Sequence, residues 1–361
     1  MLTTLLNKLQ PQVELVGLDI GSAAVKLIRL LKDADGYTAV AAVKEDIEPT
    51  PKDAKYDAAP TITAVKKCLQ KANLSSRNVV CGVSGPEVMV RGFKFPPLPD
   101  QAIEQAVRFE VQQVCPFETK EMILDYQLIE NPDVTPEQIN SKVIPRNGLM
   151  IACTENVVKA RTAVLAEAGC RPMLLDTDAL AILNCLSELD VLTEANKTVA
   201  VIDVGWELTN LVIYGQDGLP FVRDLNNAGR KIVQQISTEL ELSEAEAHRA
   251  LLEFQTTDDV QNKILLALNN AVRPLALAIN ETLRFYSYQE KTAGVETIFL
   301  CGGFSLLNTF VEFFTDALPV EVKILNPFKT IKRRADRQGN ELLETFGPGM
   351  VVATGLAMRT I

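Results

Sequence analysis

The chain has 361 residues, 47% of them hydrophobic, and a formal net charge of −10, a length that supports two substantial cores. No stretch reaches the roughly 18 to 20 consecutive apolar residues needed to span a bilayer, and no leader is evident, so no transmembrane segment is expected. The acidic balance argues against nucleic acid, since the one basic run, Lys329 to Arg337, reads as a solvated loop.

In chain order, residues 1–13 form a tail with Leu2, Leu5, Leu6 and Leu9 on one helical side. It fits either a frayed end or a short anchor. Val13 to Ile20 reads as a buried strand, Gly21-Ser22-Ala23-Ala24 as a tight turn, and Val25 to Leu31 as a second strand that reaches an Asp33–Gly36 hairpin turn. An acid at a strand end followed by small turn residues exposes backbone N–H groups as an anion-binding nest requires. Asp19 there suits a hydrated magnesium ion, and Lys26 suits a phosphate. A plain hairpin with glycine in its turn fits the same residues.

A loop from Glu48 follows, then a helix from Ala58 to Lys71 with Ile62, Val65 and Leu69 on one side, and a buried strand from Asn78. The order β, β, β, α, β fits a ribonuclease-H-like half. Residues 87–152 break that rhythm and read as an inserted α+β module. It has a strand from Val88, the prolines Pro96, Pro97 and Pro99, and a helix from Asp100 to Val114 with Asp100 as its cap and Glu104 early in it. A strand from Met122 to Ile129, a polar loop to Gly148 and a last strand from Leu149 complete it. The first half then resumes over 153–196, with helices from Glu155 to Ala168 and from a Thr177 cap to Leu189 flanking a strand at Arg171 to Asp176.

The second half, 197–361, restates the plan of 14–86. Laid over the first copy, Asp203 falls on Asp19, Gly205 on Gly21, and Leu211-Val212 on Leu27-Ile28, and Asp217-Gly218 is again a turn. Helices are expected at Gly229 to Leu240, Ser243 to Phe254 and Asp258 to Gln289, the last kinked or divided at Pro274. A strand from Val295 ends in Gly302-Gly303, where a ligand can approach the backbone closely, and Ser305 suits a helix cap or a phosphate.

The cysteines at 68, 81, 115, 153, 170, 185 and 301 form no C-x-x-C pair and read as reduced core residues. The single histidine, His248, lies on an acidic helix and reads as a surface residue, which excludes a Ser-His-Asp triad or a histidine-based zinc site.

The ordered trio D-x-G-S-x-x-x-K at Asp19, D-x-G-x-x-x-T from Asp203 to Thr209 and G-G-x-S at Gly302 resembles the actin/Hsp70/FtsA superfamily. The resemblance implies an α/β actin-like ATPase fold: two duplicated ribonuclease-H-like halves around a nucleotide cleft, with the α+β module inserted in the first. It further implies ATP with Mg2+ in that cleft. The nucleotide would be bound by Asp19, Gly21, Ser22, Ala23, Lys26, Asp203, Gly205, Thr209, Arg284, Gly302, Gly303 and Ser305, and the ion held through water by Asp19 and Asp203. Glu281, Arg284 and Tyr286 resemble the superfamily's adenosine-side helix, and read equally as surface polar residues beside a core-facing Phe285. Asp178 stands where hydrolytic relatives carry a Glu. It is either a catalytic, water-orienting acid one methylene short or an acid favoured by its helix dipole. Trp206 is bulky for a phosphate loop, so it either shields the pocket or weakens it, and slow or absent turnover is expected.

The run from Phe95 through Pro99, Glu110 to Phe117 and Leu124 to Tyr126, with Ala168 to Asn184 and Phe346 to Arg359, is similar to the PilM family of type IV pilus assembly. That likeness implies a cytoplasmic scaffold, peripheral at the inner membrane. It would bind the N-terminal tail of a PilN-like membrane protein in a groove between the first half and the module, and couple to pilus motor ATPases, with self-association open. A related secretion component, a cell-division filament protein similar to FtsA and a small-molecule kinase are the alternatives the same fold admits.

Overall fold

A computed structural model describes residues 14–49, 57–129, 145–189, 197–215, 218–253, 259–290 and 294–360. The tail at 1–13, the loop after Thr50 and most of the expected polar loop before Gly148 lie outside the described residues.

The chain opens with β1 (Val16–Ile20), β2 (Ala24–Asp33) and β3 (Gly36–Asp46), an antiparallel meander. Helix α1 (Ala59–Lys71) begins with Pro60 in its first turn, where a missing N–H costs nothing, and returns the chain to β4 (Asn78–Val83), parallel to β1. Then β5 (Val88–Phe95), α2 (Asp100–Val114), β6 (Met122–Leu128) and β7 (Arg146–Thr154) form the inserted module. Its three-stranded sheet runs β5-β7-β6. Ile103, Val107 and Val111, one turn apart on α2, pack there against Phe93 and Met150. Asp100 is not the cap expected of it: Pro99 holds that position, and Asp100 is the first helical residue, paired with Arg146. Helix α3 (Glu155–Glu167) leads to β8 (Arg171–Thr177) and α4 (Asp178–Glu188), where the Thr177 hydroxyl accepts the Leu180 N–H at 3.3 Å.

The second half contributes β9 (Val199–Val204), β10 (Thr209–Tyr214), β11 (Pro220–Leu225), α5 (Gly229–Glu239), α6 (Glu244–Leu252) and α7 (Asp259–Glu290). β12 (Thr297–Cys301), α8 (Asn308–Ala317) and β13 (Glu321–Ile324) complete it, in the sheet order β11-β10-β9-β12-β13. Helix α7 is continuous through Pro274. The proline is exposed, and the one ladder bond lost with its missing N–H does not break the helix.

The last segment crosses back. β14 (Lys332–Arg333) pairs with β3, giving a first sheet of order β14-β3-β2-β1-β4-β8, so the basic run supplies an edge strand instead of a solvated loop. After α9 (Arg337–Thr345), α10 (Val351–Ala357) lies against β1 and α4. The approach is close enough that a Cβ on Gly355 would stand 1.7 Å from the Ala181 carbonyl oxygen, and one on Gly17 2.1 Å from that of Ala353. Ile28, Val80, Ile182 and Met350 share one core with Val201, Val212 and Cys301 of the second sheet. The two sheets therefore meet over a common apolar layer, and the strand ends of β1 and β9 converge at its edge. Arg359 fastens this return by an ion pair to Asp176, whose side chain is 4% exposed.

Candidate functional site

Each sheet presents the same small structure at the converging edge. In the first, Asp19 ends β1 and is paired across the strands with Lys26. The turn between them closes through the Gly21 N–H donating to the Ala24 carbonyl at 3.1 Å. In the second, Asp203 pairs with Asn210, and the Gly205 N–H donates to the Leu208 carbonyl at 3.0 Å. The residue seven positions after the acid is a cation in one copy and an amide in the other. Register explains this: seven residues across such a turn land directly opposite the acid, where a partner for a buried carboxylate is required.

The charged groups converge. The Lys26 ammonium lies 2.7 Å from the Asp19 Oδ2, with their side chains 18% and 7% exposed. Burial opposes the charge on Lys26, but Asp19, Asp203 and Asp178 together hold its pKa above the usual value. Asp178, the first residue of α4, keeps one edge open. Burial first, and then repulsion from Asp19, push its pKa up to about 7, against a hydrogen bond from Ser84 and the charge of Arg161. Burial likewise raises Asp203, against Lys26 and hydrogen bonds from Asn210 and Cys301. Three carboxylates thus surround one ammonium, an excess of negative charge that a divalent cation would complement. Among the described residues no three His, Cys, Asp or Glu side chains gather at direct metal-ligating distance.

The remaining expected residues divide. Ser22 and Ala23 are exposed in the first turn, which is tied to β3 by the Ile47 N–H donating to the Ala23 carbonyl at 2.8 Å. Gly302 has φ +85°, and a Cβ there would sit 2.5 Å from the Asp203 Oδ1, so the backbone passes the acid at a distance only glycine allows. Gly303 faces open space. Thr209 and Ser305 are buried, and their hydroxyls donate to the carbonyls of Asn227 and Gly302, each at 2.7 Å. Both close the local backbone, and Ser305 sits in a 3-10 turn before α8 instead of capping a helix.

Arg284 is not brought to this cluster. It is exposed on α7, two residues before Tyr286, which is buried against Phe221 and beside Gly215. Gly215 follows the far end of β10, about 15 Å along the sheet from the Asp203–Asn210 pair. Tyr286 is 2% exposed and Phe285 52%, so the helix buries the tyrosine and turns the phenylalanine outward, opposite to the expected face. His248 also departs from expectation: it is half-buried, with its ring 5.3 Å from that of Trp206. Burial holds its imidazole below the ordinary pKa while Asp46, on β3, works the other way. Trp206, in the second turn, therefore packs against His248 of α6, its carbonyl accepting the Arg230 N–H at 2.7 Å.

Sequence reasoning missed Ser84, Arg161, Asn210 and Cys301. Asn210 was readable from the seven-residue offset and Cys301 from its place beside Gly302; Ser84 and Arg161 come from elements that only tertiary packing brings near. Ser84 begins a junction. The next N–H, of Gly85, donates to Asp224 on β11 at 3.2 Å, and the Gly85 carbonyl accepts the Val88 N–H that starts the module at 3.0 Å. A short loop thus touches the acid cluster, the second half and the inserted module.

A family model described as type IV pilus assembly protein PilM matches residues 17–361. Among solved structures, the chain is similar to the PilM-PilN type IV pilus biogenesis complex, with 26% identity, a TM-score of 0.80, and coverage of 97% of this chain and 99% of that one. In fold it also resembles the ethanolamine utilization protein EutJ from Carboxydothermus hydrogenoformans, at 14% identity and a TM-score of 0.54 over 97% and 90% of the two chains. The glycerol dehydratase reactivase is similar at 12% identity and a TM-score of 0.50, over 95% and 99%.

Proposed function

We propose, from the premise that this chain belongs to the PilM family of type IV pilus assembly proteins and has its actin-like fold, that it is an ATP-binding adaptor whose nucleotide state sets its grip on a PilN-like membrane protein. The observation that carries this reading is the duplicated acid-turn unit, with Asp19, Asp203 and Asp178 gathered around Lys26 where the two halves meet. The site residues fit ATP and Mg2+: the exposed turn at Ser22 and Ala23 offers backbone to phosphate, Lys26 offers charge, and Asp19 and Asp203 would hold the hydrated ion. The ion would supply charge neutralisation for the phosphates. Asp178 is one methylene shorter than the Glu that hydrolytic relatives carry there and is engaged by Ser84, so it reaches less far toward an attacking water, which favours slow or absent turnover.

The junction at Ser84–Val88 supports coupling, because movement at the cluster pulls on the strand that opens the module. The partner segment would be the short cytoplasmic N-terminal tail, held in a groove between the first half and the module. The adaptor would work at the cytoplasmic face of the inner membrane and pass the nucleotide state toward the motor ATPases. Among the described residues no helix is long and apolar enough to cross a membrane.

The test is an anisotropy titration of a labelled N-terminal tail peptide with and without ATP and Mg2+. The two affinities should differ by at least about fivefold, the lower end of ordinary allosteric coupling, and the difference should vanish in Asp19→Ala. Equal affinities in wild-type protein already saturated with ATP would refute the switch.

A further inference from the structure

The second sheet carries a row of polar side chains that the nucleotide reading uses only at one end. Asp203, Asn210 and Asp224 stand opposite one another on β9, β10 and β11. Residues paired across antiparallel strands point to the same face, with Cβ atoms about 5 Å apart. Arg223, the neighbour of Asp224, reaches Thr282 of α7 on the other face, so the row faces the first half. At its far end the Asp224 Oδ2 accepts the Gly85 N–H at 3.2 Å. The inserted module lies alongside: a Cβ on Gly92 of β5 would stand 3.3 Å from the Leu219 Cβ, just before β11.

The amide in the middle of the row is half satisfied. Its NH2 donates to Asp203, and among the described residues its buried Oδ1 accepts no hydrogen bond. Asn210 is 5% exposed, a position where an unpaired acceptor is costly. Asp224 is underserved too: burial pushes its pKa up to about 6, with the Gly85 N–H working the other way. An amide has a donor end and an acceptor end, so between two carboxylates one orientation suits Asp203 and the reverse suits Asp224. Asn210 thus has two orientations, each favoured by one acid, as a switch requires.

We propose that Asn210 and Asp224 relay the occupancy of the acid cluster to the inserted module through the Gly85 N–H, a step that rests on the ATP and Mg2+ reading of that cluster. Without nucleotide, the Asn210 NH2 serves Asp203 and leaves Asp224 with the Gly85 N–H. Once the charge of Asp203 is met from the cleft, the amide turns over and donates to Asp224. That fixes the carboxylate beneath Gly85 and tightens the start of β5. This route runs through the second half, apart from the contact of Ser84 with Asp178 in the first.

Hydrogen exchange on the full chain, read by mass spectrometry in peptides spanning residues 84–95, tests the relay, with saturation by ATP and Mg2+ checked by calorimetry. In wild-type protein at pH 8, ATP and Mg2+ should slow exchange over Gly85–Val88 by at least about fivefold, the lower end of ordinary coupling. Two substitutions at Asp224, which touches no nucleotide in this reading, should fix the junction in opposite states. Asp224→Asn keeps an oxygen for Gly85 and adds an NH2 for the unpaired Asn210 Oδ1, so its junction should exchange slowly with or without nucleotide. Asp224→Ala removes both, and its junction should exchange fast in both conditions. Binding of ATP to the wild-type protein with no change at 85–88 would overturn the relay and leave nucleotide binding standing. If no heat of binding appears, the nucleotide reading fails and the ligand-free proteins decide the row. Equal exchange in wild type, D224N and D224A would then overturn it.

Discussion

Lys26→Met will destabilise the nucleotide-free protein by about 3 kcal/mol at pH 8, the lower end of the range for breaking a buried ion pair from one side. The methionine fills nearly the same space, so packing changes little and the loss is electrostatic. Asp19, 7% exposed, loses the ammonium that stands 2.7 Å away. Asp203 and Asp178, whose charges also act on Lys26, lose the same counter-charge. The full upper range is not expected, because Lys26 keeps 18% exposure and the cleft edge admits water. Without the ammonium, the acids relieve their repulsion by taking up protons, so the penalty must shrink as the pH falls. Urea midpoints at pH 8 and pH 6 decide it: a loss that is the same at both values, or below about 1 kcal/mol at pH 8, contradicts this arrangement.

The second expected result has the opposite sign. Asp178→Asn will stabilise the metal-free, nucleotide-free protein at pH 8. The folded-state pKa of Asp178 is raised from 3.8 to about 7. Between these values the native state binds the extra proton, so stability falls as the pH rises and the cost is complete above about 7. A shift of about three units corresponds to about 4 kcal/mol at most. We expect about 2, because the amide gives up the charge-assisted hydrogen bond from Ser84. Thermal midpoints from pH 5 to 9 should diverge upward for the variant, and a gap that does not widen with pH would refute the assignment. The same protein separates the two roles open to this acid. If Asp178 orients water, residual ATP turnover falls by about 10² or more. If it serves only the helix dipole, turnover does not change. Burial and the neighbouring charge of Asp19 raise the Asp178 pKa, the direction opposite to that favoured by a helix N-terminus.

The parts of this structure legible from sequence are those written in local pattern. The two D-x-G turns and their hairpins follow from alternation, glycine placement and repetition, and the sheets repeat them in register. What was not legible depends on contacts between distant segments. Nothing local marks Lys332 and Arg333 as an edge strand, because their partner is Thr38 and Ala39, nearly the whole chain away. His248 reads as polar surface until Trp206 is placed over it. Phe285 and Tyr286 are adjacent on a helix, so a small error in phase exchanges inside for outside. Thr209 and Ser305 match the motif yet spend their hydroxyls on backbone carbonyls, which no spacing rule distinguishes from facing a ligand.

The central claim is that the cluster around Lys26 binds ATP with magnesium. Trp206 is the single tryptophan and follows Gly205 in the second turn, so its fluorescence reports on this site. Titration with ATP and Mg2+ should give saturable quenching with a matching calorimetric isotherm, both lost in Asp19→Ala. An unchanged fluorescence together with no heat of binding in the wild-type protein would contradict the account and leave an adaptor that works without nucleotide.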